Sequence, residues 1–259
     1  MNITFFPILL LAHVQSAVPP DSTTLIPRDS MIRLYTDCTE ARMPGSIEEL
    51  FVPKTTEEIE TGVVRRRALE EAWRAYFAAR AGDSIAPTAF DDWAYPLEVR
   101  GRLIDNYRNP RPEGPHDALD IFVTREGAIV RSPVAGVVVA AGDGWRGGYT
   151  RRHGFFYEGD GLSRRTGNGL ILFDPASGGY FLMAHFQSGI LVRPGDIVRR
   201  GQPLGAVGHT GNASYPGRGK HLHIAFKRPG TACGIDGVLV SENPFERIRA
   251  ARARRGGRR

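Results

Sequence analysis

Five polar residues between positions 116 and 223 have the types and spacing of a hydrolytic metal site. They are His116, Asp120, His185, His221 and His223, and a single leucine separates the last two. Imidazole and carboxylate groups bind zinc while leaving a coordination position open for a reactive water. Any one of these histidines alone would more often be an ordinary surface or core residue. Together the five predict metal-assisted hydrolysis.

The pair His221 and His223 is expected to divide its roles. Residues two apart in a strand point to the same face and lie roughly 7 Å apart, at about 3.3 Å of rise per residue. A zinc–nitrogen bond is only about 2.0–2.1 Å long, so a regular strand would not let both bind one ion. One is expected to be a ligand and the other a neighbour of the metal, and the spacing leaves open which. With His116 and Asp120 this makes three protein ligands, the pattern of a catalytic zinc site.

The order of these residues resembles that of the lysostaphin-like zinc endopeptidases, which cut peptides of bacterial cell walls. The resemblance rests on His-x-x-x-Asp at His116, Ala-His at His185 and His-Leu-His at His221, and it extends from about Tyr95 to Pro229. It includes several glycine- and proline-containing segments: Arg131–Val137, Gly167–Asn168, Val192–Asp196, Gly201–Gly205 and Gly208–Asn212.

The resemblance implies one Zn²⁺ per chain, bound by His116, Asp120 and His223. It also implies that His185 and His221 assist catalysis by orienting the attacking water, relaying its proton and stabilising the oxyanion. The implied substrate is a peptide of peptidoglycan, with the cross-links between stem peptides as the leading target. The expected activity is therefore that of a zinc metalloendopeptidase.

Other functions fit the sequence less well. The main alternative is a non-enzymatic cell-wall-binding domain that activates another hydrolase, but such domains typically lack metal ligands. A metallopeptidase acting on a protein substrate is a second alternative. A lipoyl- or biotinyl-type carrier needs a modifiable lysine, and none occurs between Asp120 and Val207. A serine hydrolase would need a Gly-x-Ser-x-Gly elbow, which the chain lacks.

The pattern of apolar residues predicts a mainly β fold preceded by a helix. Short apolar runs separated by glycine and proline predict a compact antiparallel β-sheet or sandwich as a catalytic domain over residues 97–230. Gly142 to Gly167 is expected to be a long loop, and the sequence leaves open whether it walls the cleft or is a mobile surface loop. In the preceding region, residues 18–96, an irregular stretch is followed by a helix that starts at the capping box Thr55–Glu58 and stops at Gly82. The expected strands are Ile129–Val130, Val134–Ala141, Leu170–Phe173, Tyr180–Ala184, Ile190–Val192 and Leu222–Phe226.

The first residues of the chain predict export. The apolar run Ile3–Ala12 has the length of a signal-peptide core, and small residues at Ser16 and Ala17 offer a cleavage point, so residues 1–17 are expected to be a signal peptide. The expected location is the periplasm or the cell envelope. In such an oxidising compartment Cys38 and Cys233 could form a disulfide, although two free thiols fit the sequence equally well.

The net charge of +6 comes from the end of the chain. Of 34 lysines and arginines, seven arginines lie in residues 247–259, against 28 acidic residues in the whole chain. This part of the expected C-terminal extension, residues 231–259, is predicted to be a disordered, solubilising tail; contact with anionic polymers is the alternative. The tail has no aromatic residue to stack on bases, so specific nucleic-acid binding is not expected.

Overall fold

The computed structural model describes residues 56–81, 88–111, 115–152, 154–232 and 234–256. The predictions for residues 1–17, for the irregular stretch from Val18 to Pro53, and for Cys38 and Cys233 lie outside the described residues. They stay predictions, as do the boundaries assigned to the catalytic domain and to the C-terminal extension. No helix within the described ranges is long and apolar enough to cross a membrane.

Antiparallel strands make up most of the regular secondary structure in the described ranges, which confirms the predicted fold class. Nine strands of the described ranges form one sheet in the order β1-β2-β10-β7-β6-β4-β5, with β11 beside β10 and β8 beside β4, while β3 and β9 form a small second sheet. The strands are β1 (Arg102–Leu103), β2 (Leu119–Phe122), β3 (Ile129–Arg131), β4 (Gly136–Thr150), β5 (Gly154–Gly161), β6 (Asn168–Asp174), β7 (Gly179–Phe186), β8 (Ile197–Val198), β9 (Pro203–Ala206), β10 (His221–Ala232) and β11 (Ile235–Glu242).

The predicted N-terminal helix is present as α1 (Thr56–Ala81) and packs on the large sheet. Trp73 and Phe77 are buried, and the Trp73 ring lies 5.3 Å from that of Phe173 in β6. A buried polar cluster joins the same surfaces, because Glu70 accepts hydrogen bonds from Arg66 at 3.0 Å and from the Tyr180 hydroxyl at 2.8 Å. The helix is therefore part of the packed domain.

Strand alternation directs apolar residues of the central strands to one face of the large sheet. Leu222, Ile224 and Phe226 of β10 point into a core shared with Leu119 and Ile121 of β2. Asp120, His221 and His223 occupy the alternate positions and so project from the other face, the one on which α1 packs further along the sheet. Each strand that carries site residues thus anchors them with its own core residues.

The predicted loop from Gly142 to Gly167 is wrong, because most of it is a β-hairpin. β4 continues to Thr150 and pairs with β5 from Asp143↔Gly161 to Thr150↔Gly154. The hairpin is held at its base by Trp145, which is buried and whose backbone N–H donates to the Asn168 side chain at 2.9 Å. The hairpin contains several glycines, which are unfavourable in strand interiors, so its sequence does not show a strand pattern.

Two further predictions need correction. Ile190–Val192 is irregular rather than a strand, although the N–H of Leu191 still donates to the Leu204 carbonyl at 2.9 Å. The predicted disordered tail is wrong for residues 247–256, which belong to α2 (Phe245–Gly256) with Ile248 buried in the main core.

The arginines of α2 bind the domain itself. Arg252 donates to the carbonyl of Gly101 at 3.1 Å, Arg254 to that of Trp93 at 3.0 Å, and Arg255 to those of Leu97 and Glu98. These donors satisfy backbone acceptors of the segment that leads into β1. Contact of this basic region with anionic polymers stays a prediction.

Candidate metal centre and active site

Three adjacent strands bring the predicted site residues together. In the sheet register, His223 of β10 lies opposite Asp120 of β2 on one side and Ala184 of β7 on the other. His185 directly follows Ala184, and His221 lies two residues before His223 on the same face. His116 precedes β2, and its side chain lies close to that of Asp120, which is four residues later in the chain.

His116, Asp120 and His223 point one ligand atom each at a common centre. Asp120 Oδ1 lies 3.0 Å from His223 Nδ1 and 3.4 Å from His116 Nε2, and the two ring nitrogens are 3.3 Å apart. Asp120 and His116 are buried, whereas His223 is partly exposed. The three atoms form a nearly regular triangle, open on the side of His223.

This donor set fits zinc. Two ligands bound at about 2.05 Å in tetrahedral geometry lie roughly 3.3 Å apart, which matches the three edges of the triangle. Two imidazole nitrogens and one carboxylate oxygen also have the chemistry that zinc accepts, and three protein ligands leave a fourth position for water or substrate. His221 is further away, with its Nε2 3.7 Å from Asp120 Oδ1.

Two residues that sequence reasoning missed hold Asp120 in place. Asn106 Nδ2 donates to Asp120 Oδ2 at 3.1 Å, and Arg111 Nη2 donates to the same oxygen at 2.5 Å. Both lie in the segment between β1 and β2, where turn residues form no spacing that points to a site. Their proximity to the carboxylate comes from the folded loop alone.

Asp120 is held in its ionised form. Burial by itself would raise the pKa of its carboxyl group, but hydrogen bonding with His116 and His223 and electrostatic interaction with His223 and His221 bring that pKa well below its usual range. An ionised carboxylate is the form that binds a metal.

A β-bulge carries His185 into the site. Asn168 of β6 pairs with Phe186 and Gly169 pairs with Ala184, so His185 is an extra residue without a partner in the ladder. Its backbone is left-handed, with φ at +66°. Strict alternation would place residue 185 on the core side with Phe181 and Met183; the bulge instead lets Phe186 enter the core and turns His185 to the site.

Hydrogen bonds fix the rings of both additional histidines. His185 Nδ1 lies 2.9 Å from the Thr210 carbonyl and His221 Nδ1 lies 2.6 Å from the Gly219 carbonyl. A carbonyl oxygen only accepts, so each ring carries its proton on Nδ1 and presents an unprotonated Nε2. Burial is the main cause that lowers the pKa of each ring, which keeps both neutral near pH 7.

Close backbone contact beside His185 explains two of the glycine-containing segments. A side chain at Gly167 would meet Gly211 N at 2.4 Å, and one at Gly211 would meet Arg165 O at 2.2 Å; both glycines are left-handed. This contact places Thr166 and Thr210 beside His185. The His185 N–H donates to the Thr166 carbonyl at 3.1 Å. Both segments therefore serve the placement of His185.

An ion pair between a buried lysine and a partly exposed aspartate lies behind His116. Lys227 Nζ is 3.2 Å from Asp117 Oδ2, and the lysine is almost fully buried in β10. Burial of Asp117 would raise the pKa of its carboxyl group, but Lys227 and the nearby His223 and His116 lower that pKa to about 2. This pair joins the turn at His116 to the strand that carries His223.

Comparison with known proteins matches the region that contains the site to a protein family. The model of Peptidase family M23 matches residues 114–234, which include all five predicted site residues. No curated protein sequence matches the chain significantly. Residues 114–234 belong to Peptidase family M23, the lysostaphin-like family, which confirms the resemblance drawn from the sequence.

Solved structures similar to this chain include members of the same family. A candidate peptidase M23 from Pseudomonas aeruginosa is 24% identical over 75% of this chain and 64% of its own, with a TM-score of 0.40. Lysostaphin in solution is 21% identical over 62% of this chain and 55% of its own, with a TM-score of 0.41. A candidate glycyl-glycine endopeptidase from Ruminococcus gnavus is 17% identical over 88% of both chains, with a TM-score of 0.48. The chain therefore spans less than two thirds of the first two structures.

Proposed function

We propose that this protein is a zinc-dependent endopeptidase that hydrolyses peptide bonds of bacterial peptidoglycan, with the cross-links between stem peptides as its target. The observation that carries the proposal is the triangle of His116 Nε2, Asp120 Oδ1 and His223 Nδ1, with edges of 3.0–3.4 Å. Membership of residues 114–234 in a peptidase family supports the reaction class.

His116, Asp120 and His223 would hold the zinc. Bound zinc supplies Lewis acidity, which activates water near neutral pH and polarises a scissile carbonyl group. The protein contributes an ionised carboxylate and two oriented imidazoles, and it leaves one side of the triangle open to solvent through His223. This arrangement is expected of a site that admits both water and a peptide.

His185 and His221 would move the proton. Because their Nδ1 atoms are committed to the carbonyls of Thr210 and Gly219, the unprotonated Nε2 of each ring is the acceptor. One Nε2 would take a proton from the attacking water, and the imidazolium formed would donate to the tetrahedral oxyanion or to the leaving amine. The lowered pKa of each ring keeps it ready as a base.

A peptidoglycan substrate would lie outside the cytoplasm. Residues 1–17 have the pattern of a signal peptide, and we propose that they direct the chain to the periplasm or cell envelope. Fractionation of cells that express the full chain tests this, and retention of the protein in the cytoplasmic fraction would contradict it.

The proposed activity is tested by zinc analysis together with digestion of purified peptidoglycan. The wild type is expected to hold near one zinc per chain and to release muropeptides, and His223→Ala is expected to lose both. His185→Ala should keep zinc and lose roughly 10²–10⁴-fold in cleavage rate, as expected for loss of a general base. Wild-type protein that holds no zinc and leaves peptidoglycan intact would favour the non-enzymatic alternative.

A further inference from the structure

Asn106 is bonded to two of the three proposed zinc ligands at once. Its Nδ2 donates to Asp120 Oδ2 at 3.1 Å, its Oδ1 accepts the backbone N–H of Asp120 at 3.1 Å, and its carbonyl lies 3.0 Å from His116 Nδ1. The residue is 9% exposed, so water does not readily replace these partners. Every polar group of the Asn106 side chain is directed at Asp120.

The hydrogen bonds of Asn106 determine which atoms of Asp120 and His116 remain available to bind a metal. A carboxylate has two oxygens, and Oδ2 of Asp120 is occupied by Asn106 and Arg111, which leaves Oδ1 to face His116 and His223. At His116 the Asn106 carbonyl accepts only from a protonated Nδ1, so Nε2 carries the lone pair. One residue thus selects the ligand atom of both partners.

The loop around Asn106 is itself constrained. The N–H of His116 donates to the Asn109 carbonyl at 3.0 Å, and the N–H of Asn109 reaches the Asn106 carbonyl at 3.3 Å. These bonds close a ring of main-chain contacts between the loop and the residue that precedes β2. The main chain at Asn106 therefore cannot move away from Asp120 without disturbing His116 as well.

We infer that Asn106 is a positioning residue of the metal site, one that fixes Asp120 as a ligand through Oδ1 and His116 as a ligand through Nε2. The inference rests on the proposed function. Partners that orient metal ligands typically contribute about 10–100-fold in metal affinity. Arg111 is a weaker candidate for this role, because it contacts only one of the two ligands.

Zinc affinity of the full chain, measured by competition with a chromophoric chelator, tests the inference. Asn106→Ala removes the side-chain bonds, and Asn106→Leu removes them while keeping the volume of the side chain. Both variants are expected to bind zinc about 10–100-fold more weakly than the wild type. The visible spectrum of the Co²⁺-substituted protein should also change, since it reports ligand geometry rather than stability.

Asn168→Ala is the matched control. Asn168 is buried and accepts the N–H of Trp145 at 2.9 Å, but its side chain contacts none of the proposed ligands. The variant should be less stable to urea and still bind zinc as the wild type does. Wild-type zinc affinity in both Asn106 variants would overturn the inference alone, whereas a wild-type protein that binds no zinc would overturn the proposed function with it.

Discussion

At the scale of single residues, the site depends on departures from regular strand geometry. A left-handed backbone at a residue other than glycine costs roughly 1–2 kcal/mol, and His185 adopts one at φ +66°. Three hydrogen bonds offset this cost: its N–H to Thr166, its ring to Thr210, and the Gly208 N–H to its carbonyl at 2.8 Å. Strain of this kind persists only where the surroundings hold it in place.

Substitution of Thr210 should be the most selective way to displace the His185 side chain. Its hydroxyl donates to the Phe186 carbonyl at 2.8 Å and accepts the Asn168 N–H at 3.0 Å, which ties both sides of the bulge together. Thr210→Val keeps the shape but removes the hydroxyl, and the rate of peptidoglycan cleavage should fall about 10–100-fold through misplacement of His185. Zinc content should stay at the wild-type level.

Thr210→Ser serves as the control, because it retains the hydroxyl group. It should cleave peptidoglycan at close to the wild-type rate. Equal rates for the valine and serine variants would show that the hydroxyl does not position His185.

Residue types and order were enough to single out the five histidine and aspartate positions that the structure brings together, because their pattern is distinctive. The partners Asn106 and Arg111 were not predictable in the same way. Amide and guanidinium groups are common in turns and take on a role only when the loop brings them within 3.1 Å and 2.5 Å of Asp120 Oδ2. The bulge at His185 was also hidden, since no residue type requires it.

At the scale of elements, the helices and the hairpin are held by polar contacts that hydrophobic patterns do not reveal. Apolar positions predicted α1 correctly, but Arg66 and Glu70 on its buried face gave no sign of their partner Tyr180. Hairpin β4–β5 was missed because glycine is unfavourable in strands. Helix α2 was missed because a run of arginines suggests a solvated tail, although arginine is a good helix former.

The buried cluster on α1 predicts a large effect of one substitution. Glu70→Ala would leave the Arg66 guanidinium without its carboxylate and the Tyr180 hydroxyl without its acceptor at 2.8 Å. Breaking a buried ion pair on one side typically costs about 3–5 kcal/mol, and the free energy of unfolding should fall by that amount. Urea denaturation measures it.

Glu71→Ala tests whether position and not residue type causes the effect. Glu71 is exposed on the same helix, so its replacement should change the free energy of unfolding by no more than about 0.5 kcal/mol. If Glu70→Ala were as mild as this control, the cluster would not stabilise the helix.

At the scale of the whole molecule, the two largest apolar cores of the described residues lie on opposite faces of the large sheet. The larger is formed by β2, β10, β7 and β6 with the segment that α2 covers, and the smaller by β4, β6 and β7 with Trp73 and Phe77 of α1. The sequence predicted a catalytic domain that begins at residue 97. The structure shows α1 burying apolar residues of that domain, so we expect the stable unit to begin earlier.

Removal of α1 tests this expectation. A chain of residues 88–256 should unfold at least about 10 °C below one of residues 56–256, because loss of buried Trp73 and Phe77 alone is worth about 3–5 kcal/mol each. Thermal unfolding followed by circular dichroism measures the difference. Equal midpoints would support an independent domain that starts near residue 97.

The central claim is that His116, Asp120 and His223 hold the metal while His185 and His221 do not. Anomalous diffraction at the zinc edge from crystals of the zinc-loaded protein tests it most directly. We predict a single peak about 2.0–2.2 Å from His116 Nε2, Asp120 Oδ1 and His223 Nδ1, with His185 and His221 outside bonding distance. A peak bound by His185 or His221, or one centred away from Asp120, would contradict the account.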